Sequence, residues 1–170
     1  MATVIKADTV PKDLTYEPPL KIEFGVNSHT CGARAITSGR TVVPPGAKNT
    51  PHIHQACEAS MYVISGRMRV VSGPAEGPWA EQDVEAGSFC YVPRGEVHGL
   101  QNLSDTEPVV LIFAYGGVPN KDAAGTIECP YPGALAQAAA RRWEARSGLG
   151  QLDSHWGPAP SLTSGFESSG

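Results

Sequence analysis

The stretch "PHIHQACEASMYVISG", residues 51–66, places His52 and His54 one residue apart and Glu58 four residues after the second. In an extended chain alternate side chains share a face, so the two imidazoles point the same way, as two nitrogen ligands of one metal must. A second stretch, "GSFCYVPRGEVHGLQN" (87–102), adds His98 at the start of the strand that leaves a tight turn bracketed by Pro93 and Gly95. Three neutral imidazoles and a carboxylate make a mixed nitrogen and oxygen donor set suited to Fe, Mn, Ni, Cu or Zn. The reading depends on whether the two stretches meet.

Around them, short runs rich in Val, Ile, Tyr and Phe read as strands: "LKIEFGV" (20–26), "RAITSGRTVV" (34–43), "SMYVIS" (60–65), "RMRVVS" (67–72), "SFCYVP" (88–93) and "PVVLIFAY" (108–115). Gly and Pro, 19 and 15 in number, punctuate them at short intervals, which predicts an all-β sandwich or barrel. Residues 117–133 read as an irregular excursion. "ALAQAAARRWEARSG" (134–148) then reads as a helix stopped by Gly148. The segment 149–170 is rich in Ser, Gly and Pro; it reads as a flexible tail, or as one that docks through Trp156 and Phe166.

The chain of 170 residues suits one domain with a real core. A net charge of −4, with basic residues scattered apart from Arg141-Arg142, argues against nucleic acid as a partner. No stretch is apolar and long enough to span a bilayer or act as an export signal, so the expectation is a cytoplasmic protein with no membrane association. Cys31, Cys57, Cys90 and Cys129 lie far apart without a CxxC pair and read as reduced thiols.

The two histidine stretches resemble the paired motifs of the cupin family. The first, G(X)5HXH(X)3,4E(X)6G, is met by Gly46, His52, His54, Glu58 and Gly66, with one residue too many before the last glycine. The second, G(X)5PXG(X)2H(X)3N, is met by Gly87, Pro93, Gly95, His98 and Asn102. The resemblance covers about residues 34–116. It implies a double-stranded β-helix, or jelly-roll barrel, with N-terminal strands (1–33) flanking it and the excursion and helix (117–148) following.

The resemblance further implies one divalent transition metal ion per chain, Fe(II) favoured, held by His52, His54, Glu58 and His98. It also implies a small-molecule substrate, a homodimer, and activity as a dioxygenase, or else as a lyase, decarboxylase, isomerase or non-catalytic binding module. Counted back from Gly66, the family's glutamate position falls on Ala59. A one-residue shift reverses the facing of a strand. The expectation is that a bulge between 59 and 65 absorbs the extra residue and keeps Glu58 as a ligand or as a base beside the metal. An exposed turn carboxylate is the alternative. Gly46, Gly66, Gly87 and Gly95 read as backbone requirements, Asn102 as a turn-closing amide, and Arg67 and Arg69 as a solvated strand face.

Overall fold

The computed structural model describes residues 1–147. The Ser/Gly/Pro-rich segment 149–170, with Trp156 and Phe166, lies outside the described residues. Residues 1–137 form one compact unit. Its strands, in chain order, are β1 (Lys21–Val26), β2 (Ile36–Val43), β3 (His52–His54), β4 (Glu58–Ser65), β5 (Arg67–Gly73), β6 (Ala80–Glu85), β7 (Phe89–Val92), β8 (Val97–Asn102), β9 (Val109–Gly116) and β10 (Thr126–Glu128). A four-residue helix, α1 (Ser28–Cys31), follows β1, and α2 (Ala134–Ser147) follows the last strand.

The strands form two five-stranded antiparallel sheets, ordered β1-β2-β9-β4-β7 and β10-β3-β8-β5-β6. Strands neighbouring in sequence repeatedly fall in opposite sheets, the arrangement of a jelly roll. The runs rich in β-branched and aromatic residues became β1, β2, β4, β5, β7 and β9. Strict alternation makes the core: on β4, Ala59, Met61 and Val63 are buried while Glu58, Ser60, Tyr62 and Ile64 face out. On β9, Val109, Leu111, Phe113 and Tyr115 are buried and meet Met68, Val70 and Leu100 from the other sheet.

Two strands carry no signal in composition. The sequence of β6 is AEQDVE, exposed along most of its length. It is held to β5 by backbone pairing and by charge: Arg67 Nη2 donates to Asp83 Oδ2 at 3.0 Å and Arg69 Nε to Asp83 Oδ1 at 2.8 Å. Both arginines therefore solvate the sheet. The other is β10, three residues inside the excursion, which pairs with β3.

The chain reverses between β4 and β5 at Gly66, where φ is +89° and a Cβ would lie 2.8 Å from Val109 Cγ2. Only glycine suits that position. Asn102, buried, turns its amide nitrogen toward the carbonyl oxygens of Val43, Pro44 and Glu107, and its Oδ1 accepts from Ser104 N–H. It closes the turn as its motif position suggests.

The N-terminal segment does more than flank the barrel. β1 pairs with β2 of its own chain, Leu20 and Ile22 are buried in the core, and an ion pair joins Lys121 to Asp13. The stretch between Asp13 and Leu20 is thereby held against the inside of the fold. All four cysteines are free thiols. Among the described residues, no helix is long and apolar enough to cross a membrane.

Candidate metal centre

β3 and β8 lie side by side in one sheet, and His52 is in direct register with His98. His54, two residues along β3, shares their face. The ring centroids of His52 and His98 are 4.4 Å apart, those of His52 and His54 4.9 Å, and those of His54 and His98 5.0 Å. All three residues are buried, and their ligand atoms lie within 4.8 Å of one another. The two stretches meet.

Hydrogen bonds orient each ring. His52 Nδ1 lies 3.1 Å from the Thr50 carbonyl oxygen and His98 Nδ1 3.3 Å from that of Glu96. A carbonyl only accepts, so both Nδ1 atoms carry a proton, and in the neutral ring Nε2 is the atom left to present a lone pair. His54 Nδ1 lies 3.0 Å from Thr126 Oγ1, which in turn meets the Tyr16 hydroxyl at 2.6 Å.

Burial, reinforced by the neighbouring His52 ring, pushes His54 down to about 3. Burial and then His52 and His54 hold His98 well below the ordinary imidazole range. At neutral pH these two rings are uncharged and able to ligate. The Nε2 atoms of His52 and His54 are buried and make no hydrogen bond to any described residue. Leaving buried nitrogens unpaired is costly, and a divalent cation bound by the three Nε2 atoms removes that cost. The donor set fits a metal of the imidazole-favouring class.

Glu58 is not part of this cluster. Its side chain is on the outer face of β4, exposed, where its Oε2 accepts a hydrogen bond from the Tyr91 hydroxyl at 2.9 Å. The expected bulge exists: the register of β4 against β9 shifts between Val63 and Ser65. It does not turn Glu58 inward, because alternation is unbroken from 58 to 63 and Val63 is fully buried. Parity therefore buries Ala59, 4% exposed, and expels its neighbour. Glu58 is corrected here from ligand and base to a surface carboxylate.

Three residues that the motifs do not contain border the imidazoles. Tyr115 packs its ring 4.5 Å from His54, centroid to centroid. Burial first, then Glu17, raises its hydroxyl well above the usual tyrosine value. Glu17 Oε1 stands 3.5 Å from His52 Nε2. Thr126, on the short strand β10, holds His54. Tyr115 was readable as an inward position of β9, but its nearness to His54 was not. Glu17 and Thr126 come from segments with no strand signal. Phe113 and Met61 line a small cavity of about 30 Å³ beside His98, together with Glu17, Ala59 and Tyr115. Tyr62, Phe89 and Tyr91 face outward.

Residues 39–115 match the model of the cupin domain family. The chain carries a small cupin domain in that stretch, a little under half of its length. Over 112 residues it is 29% identical to the oxalate decarboxylase OxdC of Bacillus subtilis, covering 61% of this chain and 29% of that protein. Over 97 residues it is 27% identical to putative germin-like protein 9-2 of Oryza sativa subsp. japonica, covering 57% of this chain and 43% of that one. The chain thus spans less than half the length of either relative.

Among solved structures, the chain superposes on Bacillus subtilis oxalate decarboxylase with a TM-score of 0.62, 20% identity and coverage of 87% of this chain and 38% of that one. On the polyketide cyclase RemF of Streptomyces resistomycificus the TM-score is 0.58, with 22% identity and coverage of 77% and 91%. At those identities the superpositions show the fold alone.

Proposed function

We propose that this cupin is a mononuclear metal-dependent enzyme acting on a small organic molecule that chelates through two oxygens. The observation that carries the proposal is the convergence of three buried imidazoles with outward-bonded Nδ1 atoms, the Nε2 atoms of His52 and His54 making no hydrogen bond to any described residue. His52, His54 and His98 hold the ion. When bound, it supplies Lewis-acid activation and, as Fe(II), oxygen chemistry. The chain supplies the surroundings: Met61, Leu111 and Phe113 form an apolar wall that excludes water, and the Tyr115 hydroxyl, held protonated, is a hydrogen-bond donor within the same cavity.

Within that class we read the chain as an Fe(II) dioxygenase of an enolisable or phenolic compound. The 29% identity to an oxalate decarboxylase favours a second reading, decarboxylation or lysis of a small organic acid without net use of O2. Metal analysis and turnover under argon test both. His98→Ala is expected to lose stoichiometric metal; a variant that keeps it sinks the metal reading. Turnover that persists without O2 removes the dioxygenase and leaves the decarboxylase.

We also propose a homodimer formed through the outer face of the first sheet, where Tyr62, Ile64, Phe89, Tyr91 and Ile112 lie together and Phe89 is 82% exposed. An apolar face of this kind is the usual mark of an association surface. Sedimentation is expected to give a dimer for the wild type and a monomer for Phe89→Glu.

A further inference from the structure

The N-terminal segment brings to the imidazole cluster a carboxylate that neither motif supplies. Glu17 precedes Pro18, Pro19 and Leu20, and only 11% of its side chain is exposed. Its Oε2 accepts a hydrogen bond from Asn49 Nδ2 at 2.8 Å. Its Oε1 lies 3.5 Å from the Tyr115 hydroxyl and 3.5 Å from His52 Nε2. Glu17, Ala59 and His98 line the same interior cavity. A carboxylate from outside the motifs therefore faces the space that the short side chain of Ala59 leaves open.

The nitrogens at this contact lack hydrogen-bond partners among the described residues. His52 Nδ1 faces a carbonyl oxygen, and its buried Nε2, which makes no such hydrogen bond, lies 3.5 Å from a carboxylate oxygen. His54 Nε2, also buried, makes none either, and unpaired buried nitrogens are costly. One divalent ion held among the three imidazoles, whose ligand atoms lie within 4.8 Å of one another, satisfies these nitrogens, with the Glu17 oxygen beside His52. Ligand atoms bonded to a common ion at about 2.0–2.2 Å stand ~3–3.5 Å from each other, the separation seen between Glu17 and His52.

We propose that Glu17 is the fourth protein ligand of the metal, contributed by the N-terminal segment where the motif position holds Ala59. The inference rests on the metal reading given above and adds to it an anionic oxygen donor. It also gives the segment 13–20 a role: the stretch that walls the cavity is tied to the ion through Glu17 and to the rest of the fold through Asp13 and Leu20.

The test uses the full chain loaded with Co²⁺, whose visible absorption reports its ligands. Dissociation constants come from competition with a chromophoric chelator. Glu17→Gln is expected to weaken Co²⁺ binding at least ~10–100-fold, the loss usual for even an outer-shell partner, and to change the absorption spectrum. Glu58→Gln is expected to leave both unchanged. An unchanged spectrum for Glu17→Gln, with or without weaker binding, overturns the assignment while leaving the three-histidine site intact.

Failure of the wild type to take up the ion overturns the assignment and the metal reading together. A Co²⁺ anomalous-diffraction structure of the wild type does not depend on any variant folding. It is expected to show a Glu17 oxygen within ~2.0–2.2 Å of the ion, and a carboxylate beyond bonding distance overturns the proposal.

Discussion

Thr126 shows how one hydroxyl can set the chemistry of a site. The imidazoles of His52 and His98 are oriented by main-chain carbonyls, which no substitution removes, whereas His54 depends on a side chain. The Thr126 oxygen accepts from Nδ1–H in the tautomer that leaves Nε2 free, and the Tyr16 hydroxyl holds that oxygen in place. Valine has the same shape without the hydrogen bond. Thr126→Val is therefore expected to weaken metal binding about 10–100-fold with little loss of fold. Chelator competition measures the first, and circular dichroism of the metal-free protein checks the second.

At the scale of elements, the segment before β1 is held in place by charge. Burial tends to raise the Asp13 carboxyl, but the Lys121 ammonium and the N–H groups of Thr15 and Tyr16, with the Thr15 hydroxyl, outweigh it and bring it down to about 2 from an ordinary 3.8. A carboxyl whose folded value is depressed stabilises the fold above its unfolded value, and that contribution disappears as the pH falls through the folded value. The wild type is thus expected to exceed Asp13→Asn in stability at pH 5 and above. The gap should close between about pH 4 and pH 2, as read by urea unfolding at each pH. A gap independent of pH would assign the effect of the substitution to something other than this ion pair.

The elements also differ in how they announce themselves. β4 and β9 are legible because Val, Ile, Met and aromatic side chains alternate with polar ones over eight residues. β6 has no such signal: its stability comes from pairing with β5 and from carboxylates set opposite Arg67 and Arg69. β10 is three residues long and becomes a strand only because β3 offers it an edge. Local composition cannot report a partner that lies seventy residues away.

For the molecule as a whole, an ion that binds the folded chain and has no site in the unfolded one adds stability by mass action, about 4 kcal/mol at a thousandfold excess over its dissociation constant. For a domain of this size that corresponds to a rise of about 10 °C in the unfolding midpoint. Calorimetry of the metal-loaded protein with and without a strong chelator is expected to show that difference. The same treatment of His98→Ala is expected to show none. The cluster is placed for this: β3 and β8 of one sheet, with β10 beside them, bring three buried imidazoles together with Glu17 and Tyr115 next to them.

Taken alone, the sequence determined that short alternating strands would pack into two sheets, and that His52, His54 and His98 are the imidazoles that would converge. Both follow from periodicity and from two spaced motifs. Only the tertiary structure decided which carboxylate faces them. Facing along a strand depends on where its bulge falls, and the shift between Val63 and Ser65 leaves Ala59 inside and Glu58 in solvent beside Tyr91. Glu17 and Thr126 reach the site through pairings between distant segments, and contacts of that kind exist only once the chain has closed on itself.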